Sequence, residues 1–162
     1  MKNRIAKILL ITLITLLLVG CNRKLYTYSS ESGEGVISEY TGSEASLVVP
    51  NSIDGKGVSI IGYNTFAYNI MIYNVLVSNG IEEIRGCAFW YCTSLNSIYI
   101  PSTVTKIEEY AFYHCTDLKY VFYEANEVDV NISIGDNNDF FTSAEKTYGV
   151  SQDEYKALIN LK

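Results

Sequence analysis

Histidine occurs once in these 162 residues, at His114. An imidazole-based catalytic group needs a nucleophile and an orienting acid beside it. Cys115 follows His114 directly, but adjacent residues in extended chain diverge, so His114 reads as a loop residue on the convex side of the fold. The chain also lacks a Gly-rich phosphate loop, a paired-carboxylate motif and a zinc signature. Cys87-x4-Cys92 has no suitable partner ligands. Asp136-Asn137-Asn138-Asp139 offers oxygen atoms for calcium but lacks the spacing and the distal Glu of a calcium loop. No catalytic residues, metal or cofactor are therefore expected. Basic residues are scarce too: 12 Lys and Arg stand against 18 Asp and Glu, for a formal net charge of −6. An acidic domain repels phosphate backbones, which argues against a nucleic-acid partner.

Long hydrophobic runs are also missing. The longest uncharged one, Ile8 to Val19, is too short to cross a bilayer core of about 30 Å comfortably as a helix. Lys2, Arg4 and Lys7 precede it and Leu18-Val19-Gly20-Cys21 follows, the layout of a secretory signal peptide over residues 1–20. The tetrad resembles a bacterial lipobox, which implies cleavage before Cys21 and lipidation of its thiol. An uncleaved anchor helix, or cleavage without lipidation, would fit the same residues. Two or more acyl chains give stable membrane anchoring. Loss of the leader's three cations takes the formal net charge from −6 to −9. Residues 21–24 form a short tether that holds the rest of the chain close to the membrane.

What the sequence does have is a repeat. Phe66, Phe89 and Phe112 recur every 23 residues. Val58, Ile81 and Val104 precede them, followed by Ile61, Ile84 and Ile107. After each Phe come Ile72, Leu95 and Leu118, then Val75, Ile98 and Val121. Cys92 and Cys115 coincide, and Pro50 aligns with Pro101 once a five-residue insertion is allowed. A period of 20–29 residues with an L-x-x-L-x-L core marks a leucine-rich repeat solenoid. Within Leu95-x-x-Ile98-x-Ile100, alternate residues face inward along a short strand, and Pro101 ends it by withdrawing a donor. The repeated Phe residues are expected to stack as a ladder inside the coils. Residues 25–46 read as an N-terminal hairpin cap, 47–126 as the repeats and 127–162 as a partial repeat with a cap. In that last stretch Phe140, 28 residues after Phe112, takes the place of the next Phe. Ser151-Gln152-Asp153-Glu154 is a capping box. It opens a short helix from Gln152 to about Asn160, with Tyr155, Leu158 and Ile159 facing the last coil.

Asn51-Ser52-Ile53-Asp54-Gly55-Lys56-Gly57-Val58, Ile61-Gly62 and Phe66 resemble the opening repeat of BspA-like bacterial surface proteins. Ala88-Phe89-Trp90-Tyr91-Cys92-Thr93-Ser94-Leu95 with Ile98-Tyr99-Ile100-Pro101, and Ala111-Phe112-Tyr113-His114-Cys115-Thr116-Asp117-Leu118, resemble the internal repeat of that leucine-rich repeat family. The first unit departs from the pattern, with Asn69 in the Cys position and Ser78 in the Pro position. The resemblance implies an α/β, β-rich, right-handed solenoid with a short parallel sheet, an N-terminal β-hairpin cap and a C-terminal helical cap. It also implies a lipid-anchored protein of the bacterial cell envelope, at the cell surface, that binds host or bacterial surface proteins.

If Ile98 and Ile100 point inward, Tyr99 points outward. Its equivalents are Leu76 and Phe122, with Val48 on the preceding strand, flanked by Asn74, Ser97 and Tyr120. This apolar column is the candidate binding face, since interfaces enrich aromatic residues. The same residues could simply pair across strands, or lie beneath the C-terminal segment. A structural envelope protein making homotypic contacts through the same row is the rival reading, and the oligomeric state is open. Cys92 and Cys115 sit on neighbouring coils about 4.8 Å apart, within disulfide range. Their parallel directions suit a ladder of buried thiols better than a bridge.

Overall fold

The computed structural model describes residues 25–161, so the leader and Cys21 lie outside the described residues. The described residues open with a hairpin, β1 (Tyr26–Glu31) antiparallel to β2 (Glu34–Tyr40). Ser32 and Gly33 turn it with positive φ of 52° and 91°, the two-residue turn whose twist matches that of paired strands. Coils then wind between two parallel sheets. One contains β3 (Ser46–Val49), β7 (Asn74–Val77), β9 (Ser97–Ile100), β11 (Tyr120–Tyr123) and β13 (Glu145–Thr147) in that spatial order. The other continues from β2 through β6 (Ile60–Ile61), β8 (Glu83–Ile84), β10 (Lys106–Ile107) and β12 (Ser133–Ile134). The L-x-x-L-x-L pattern foretells the first sheet. The second comes from the Ile61, Ile84, Ile107 column, which is too short per coil to read as strand in sequence.

Register follows the repeat. Asn74, Ser97 and Tyr120 align across β7, β9 and β11, as do Val75, Ile98 and Val121. The five extra residues after Pro50 are absorbed by a small hairpin, β4 (Ser52–Ile53) with β5 (Lys56–Gly57). Asp54 and Gly55 turn it in the left-handed region.

Inside the coils Phe66, Phe89 and Phe112 are buried and stacked, with ring centroids 4.8 and 5.1 Å apart and planes within 14°. These separations match the strand spacing, so coil pitch sets the ring offset. The next rung is Phe141, not Phe140: it lies 4.7 Å from Phe112 and is fully buried. The short helix α1 (Asp139–Ser143) causes the shift, because it turns consecutive side chains about 100° apart and can direct only one of the pair inward. Tyr40 closes the other end, 5.2 Å from Phe66, with Tyr26 behind it at 5.1 Å.

The C-terminal helix α2 (Gln152–Leu158) starts at the expected capping box. Ser151 Oγ accepts from the Glu154 N–H, and the Glu154 carboxylate accepts from the Ser151 N–H. Its position differs from the expectation. It lies on the outer face of the first sheet rather than over the last coil, which Phe141 and Asn138 close instead. Leu158 is 62% exposed and does not face the fold. A helix lying across a nearly flat sheet presents one narrow stripe, and Tyr155 with Ile159, four residues apart, occupies it.

Candidate functional site

Strand alternation directs the predicted row outward as expected, but the row is not open. Leu76 and Tyr99 are 1% and 0% exposed, and Phe122 is half-buried. The cover is Tyr155 of α2, whose ring sits 5.6 Å from Tyr99 and 5.2 Å from Phe122. Leu76, Tyr99 and Tyr155 form a small apolar cluster of their own, across the sheet from the main core. The expectation that Leu76 and Tyr99 are surface residues is thus corrected, and the reason lies in a segment fifty residues downstream of Tyr99. Val48 at one end of the row stays exposed.

The flanking column supplies polar contacts. Tyr155 Oη and Ser97 Oγ are 2.7 Å apart, Ser97 Oγ donates to Asn74 Oδ1 at 2.8 Å, and Asn74 Nδ2 donates to Ser46 Oγ at 3.2 Å. Ser97 is consequently buried, Asn74 half-buried and Tyr120 exposed. Burial pushes the Tyr155 phenol up, against the opposing hydrogen bond to Ser97. Beside the helix a groove of about 330 Å³ remains, walled by Tyr73, Asn74, Asn96, Tyr120 and Phe122 on the sheet and by Leu158 to Asn160 on the helix side.

A second surface was not singled out in the sequence. Tyr68, Trp90, Tyr91, Tyr113 and His114 form a continuous aromatic strip on the flank next to the Phe ladder. Tyr68 stacks on Tyr91 at 5.4 Å, Tyr91 on His114 at 4.5 Å, and Trp90 lies 6.4 Å from Tyr113. Tyr68, Tyr91 and His114 all hold φ between 56° and 61°, where bulky residues cost roughly 1–2 kcal/mol each. Backbone bonds from Tyr68 N to Trp90 O and from Tyr91 N to Tyr113 O fix this geometry. The 23-residue register shows these columns, since Tyr68, Tyr91 and His114 fall two residues after successive Phe residues. Stacking on Tyr91 accounts for His114, while Cys115 turns inward and donates to Phe89 O, so the two do not form a dyad.

Beside this strip, where Tyr110 packs 5.6 Å from Tyr113, a cleft of about 640 Å³ runs between Tyr63 and Tyr110 over Gly86 and Gly135, edged by Glu109 and Asp136. Lys106 is held between Glu83 and Glu108 at 2.6 and 2.7 Å, and the Arg85 guanidinium lies 5.4 Å over the Tyr63 ring. Cys87 opens onto this cleft, its thiol pushed up by burial and by Glu109. Cys92 and Cys115 are free and buried. Cys92 donates to Phe66 O as Cys115 does one coil on, and burial pushes the Cys92 thiol up to about 12. No group of three or more His, Cys, Asp or Glu side chains able to hold a metal ion occurs among the described residues.

Stacked 23-residue coils, two parallel sheets, an internal Phe ladder and side-chain caps define a leucine-rich repeat protein. The family model described as BspA type leucine rich repeat region matches residues 42–143. The chain belongs to that family. Among solved structures, a T. pallidum leucine-rich repeat protein superposes with a TM-score of 0.63 at 23% identity, covering 78% of this chain and 64% of that one. A leucine-rich repeat protein from Bacteroides capillosus ATCC 29799 gives 0.62 at 22% identity, covering 77% and 93%. A leucine-rich cell surface protein from Faecalibacterium prausnitzii A2-165 gives 0.55 at 27% identity, covering 62% and 31%. The chain thus spans under two thirds of the T. pallidum protein and about a third of the Faecalibacterium one. No curated protein sequence matches it.

Proposed function

We propose that this chain is an exported protein, anchored in the bacterial envelope through a lipidated Cys21, whose repeat face binds other proteins without covalent chemistry. Host or bacterial surface proteins are its partners, in adhesion or host interaction, and the short tether suits a component of a local surface complex better than a long-reach adhesin. The observation that carries the binding reading is the outer row itself. A solenoid needs apolar residues only on the inside of each strand, yet Leu76, Tyr99 and Phe122 are apolar on the outside and accept an amphipathic helix. The strip from exposed Tyr68 to half-buried His114 adds aromatic surface of the kind interfaces enrich. Family membership and the cell-surface relative favour placement at the cell surface.

Anchoring is tested by fractionation: the native chain partitions with membranes and a Cys21→Ala variant does not. Binding is tested by cross-linked capture from host and envelope extracts, with a Val48→Ser, Tyr120→Ser double variant as comparison. Both side chains are about 40% exposed, so the variant stays folded. A partner retained by the native protein and lost by the variant supports the reading. Concentration-dependent self-association with no other partner would favour the homotypic envelope role.

A further inference from the structure

Helix α2 is seated on the outer row and contributes no side chain to the repeat core. The repeat core closes at Phe141, and the cluster beneath α2 lies on the far side of the sheet from that core. Tyr155 is the one fully buried side chain that holds the helix down, with Val150 and Ile159 half-buried against the same cluster. Asp153, Glu154, Ala157 and Leu158 face solvent, and Ile159 is only half-buried. The last backbone bonds to the repeats run from Gly149 N to Ala125 O and from Val150 N to Tyr123 O. Gly149, with φ of 69°, turns the chain between β13 and the helix, and beyond Val150 no backbone bond to the repeats remains among the described residues. A short segment held by one buried and two half-buried side chains beyond its last backbone bond to the repeats can open without unfolding what it covers.

Building on the outer row as the binding face, we propose that Leu76, Tyr99 and Phe122 form a docking site for an amphipathic helix with a tyrosine anchor, and that α2 fills this site in cis as a displaceable latch. The partner chemistry is read from the occupant. It carries a phenol that reaches Ser97 Oγ, held at 2.7 Å by Tyr155, and an apolar residue four positions on, as Ile159 is. The helix-in-groove mode uses anchors of this spacing. A tethered latch competes at the millimolar effective concentration of a short linker, so a partner must bind this site in trans better than α2 does in cis.

The test uses the full chain in detergent, read site by site, with Cys87→Ser to remove the one partly exposed thiol among the described residues and Leu76→Cys to place a reporter under the latch. Cys92 and Cys115, buried in the repeat core, report global unfolding in the same molecule. Latch opening predicts that the thiol at position 76 reacts with a maleimide at least about a hundredfold faster than Cys92 and Cys115. Equal rates for all three would overturn the proposal, because α2 would then open only when the whole fold does. If Leu76→Cys lowers global stability, the core thiols speed up as well, and the ratio remains the readout. Adding Tyr155→Ser should accelerate labelling at position 76 at least about tenfold, and a peptide of residues 148–161 at millimolar concentration should slow it again. Failure of the peptide to protect would refute the docking site. Labelling that slows with rising protein concentration would identify a second copy as a helix donor and support it. The measurement needs no natural partner, so it can fail while the capture experiment succeeds, and conversely.

Discussion

Replacing Asn138 by Leu should unfasten the C-terminal end of the solenoid. In the inner coils the N–H of each ladder Phe donates to the carbonyl of an Ala one coil on: Phe66 to Ala88 and Phe89 to Ala111, both at 2.8 Å. Phe112 has no such carbonyl ahead of it. The Asn138 side chain takes its place, accepting from Phe112 N at 2.9 Å through Oδ1. Its Nδ2 donates to Glu108 O at 2.9 Å and Gly135 O at 2.8 Å. Asn138 is 2% exposed and Phe112 fully buried, so water does not replace the amide at the Phe112 N–H. The buried Phe112 N–H and the part-buried carbonyls of Glu108 and Gly135 each lose a hydrogen bond, at about 1 kcal/mol net apiece, which makes a loss of roughly 3 kcal/mol. In urea, with an m-value of roughly 2 kcal/mol/M, the midpoint should fall by about 1.5 M. Far-UV circular dichroism and tyrosine fluorescence should follow one transition. Asn138→Asp should do worse than Leu at neutral pH, because a carboxylate would face two carbonyl oxygens. Its penalty should shrink as pH falls and the carboxyl protonates, since that environment raises its pKa. A midpoint shift below about 0.5 M for Asn138→Leu, or an Asp variant milder than Leu, would refute the side chain's role as a surrogate coil.

Phe89→Ala, at the centre of the ladder with rings on both sides, should cost about 3–5 kcal/mol by denaturant titration. Phe89→Leu, which refills most of the volume, should cost far less. Native-state titration with a thiol reagent should modify Cys87 and spare Cys92 and Cys115 until denaturant is added, given their burial and the elevated thiol of Cys92. Burial pushes the Glu124 carboxyl up, but the Ser102 N–H and hydroxyl and the Asn79 amide outweigh it, so the carboxyl sits below its ordinary value of 4.5. Its contribution is therefore present above that value and lost as pH falls through the folded-state pKa. The stability gap between native protein and Glu124→Gln should narrow in pH-dependent melts as pH falls below 4.5.

Much of the architecture is legible in one dimension because a solenoid is built from local repeats. The 23-residue spacing of Phe66, Phe89 and Phe112 is enough to infer coils, an inner Phe ladder and strands at 74–77, 97–100 and 120–123. Alternation along each strand likewise identifies Leu76, Tyr99 and Phe122 as outward. The capping box places the start of α2 because its hydrogen bonds join residues three apart. Where the repeat breaks, this legibility fades. Extra residues before β12 and the turn of α1 moved the last rung to Phe141, and no pattern announced that Asn138 would stand in for a missing carbonyl.

The sequence by itself determined the family, the coil and the direction each repeated side chain takes, since these depend on residues within one period of one another. Whether those side chains meet solvent was decided only in three dimensions. Tyr155 reaches Tyr99 and Ser97 from more than fifty residues away, and a helix of seven residues could have packed on the end of the solenoid or on its face. The sheet face prevailed because Leu76 and Tyr99 offered apolar area outside the core, while the solenoid end was already closed by Phe141 and Asn138.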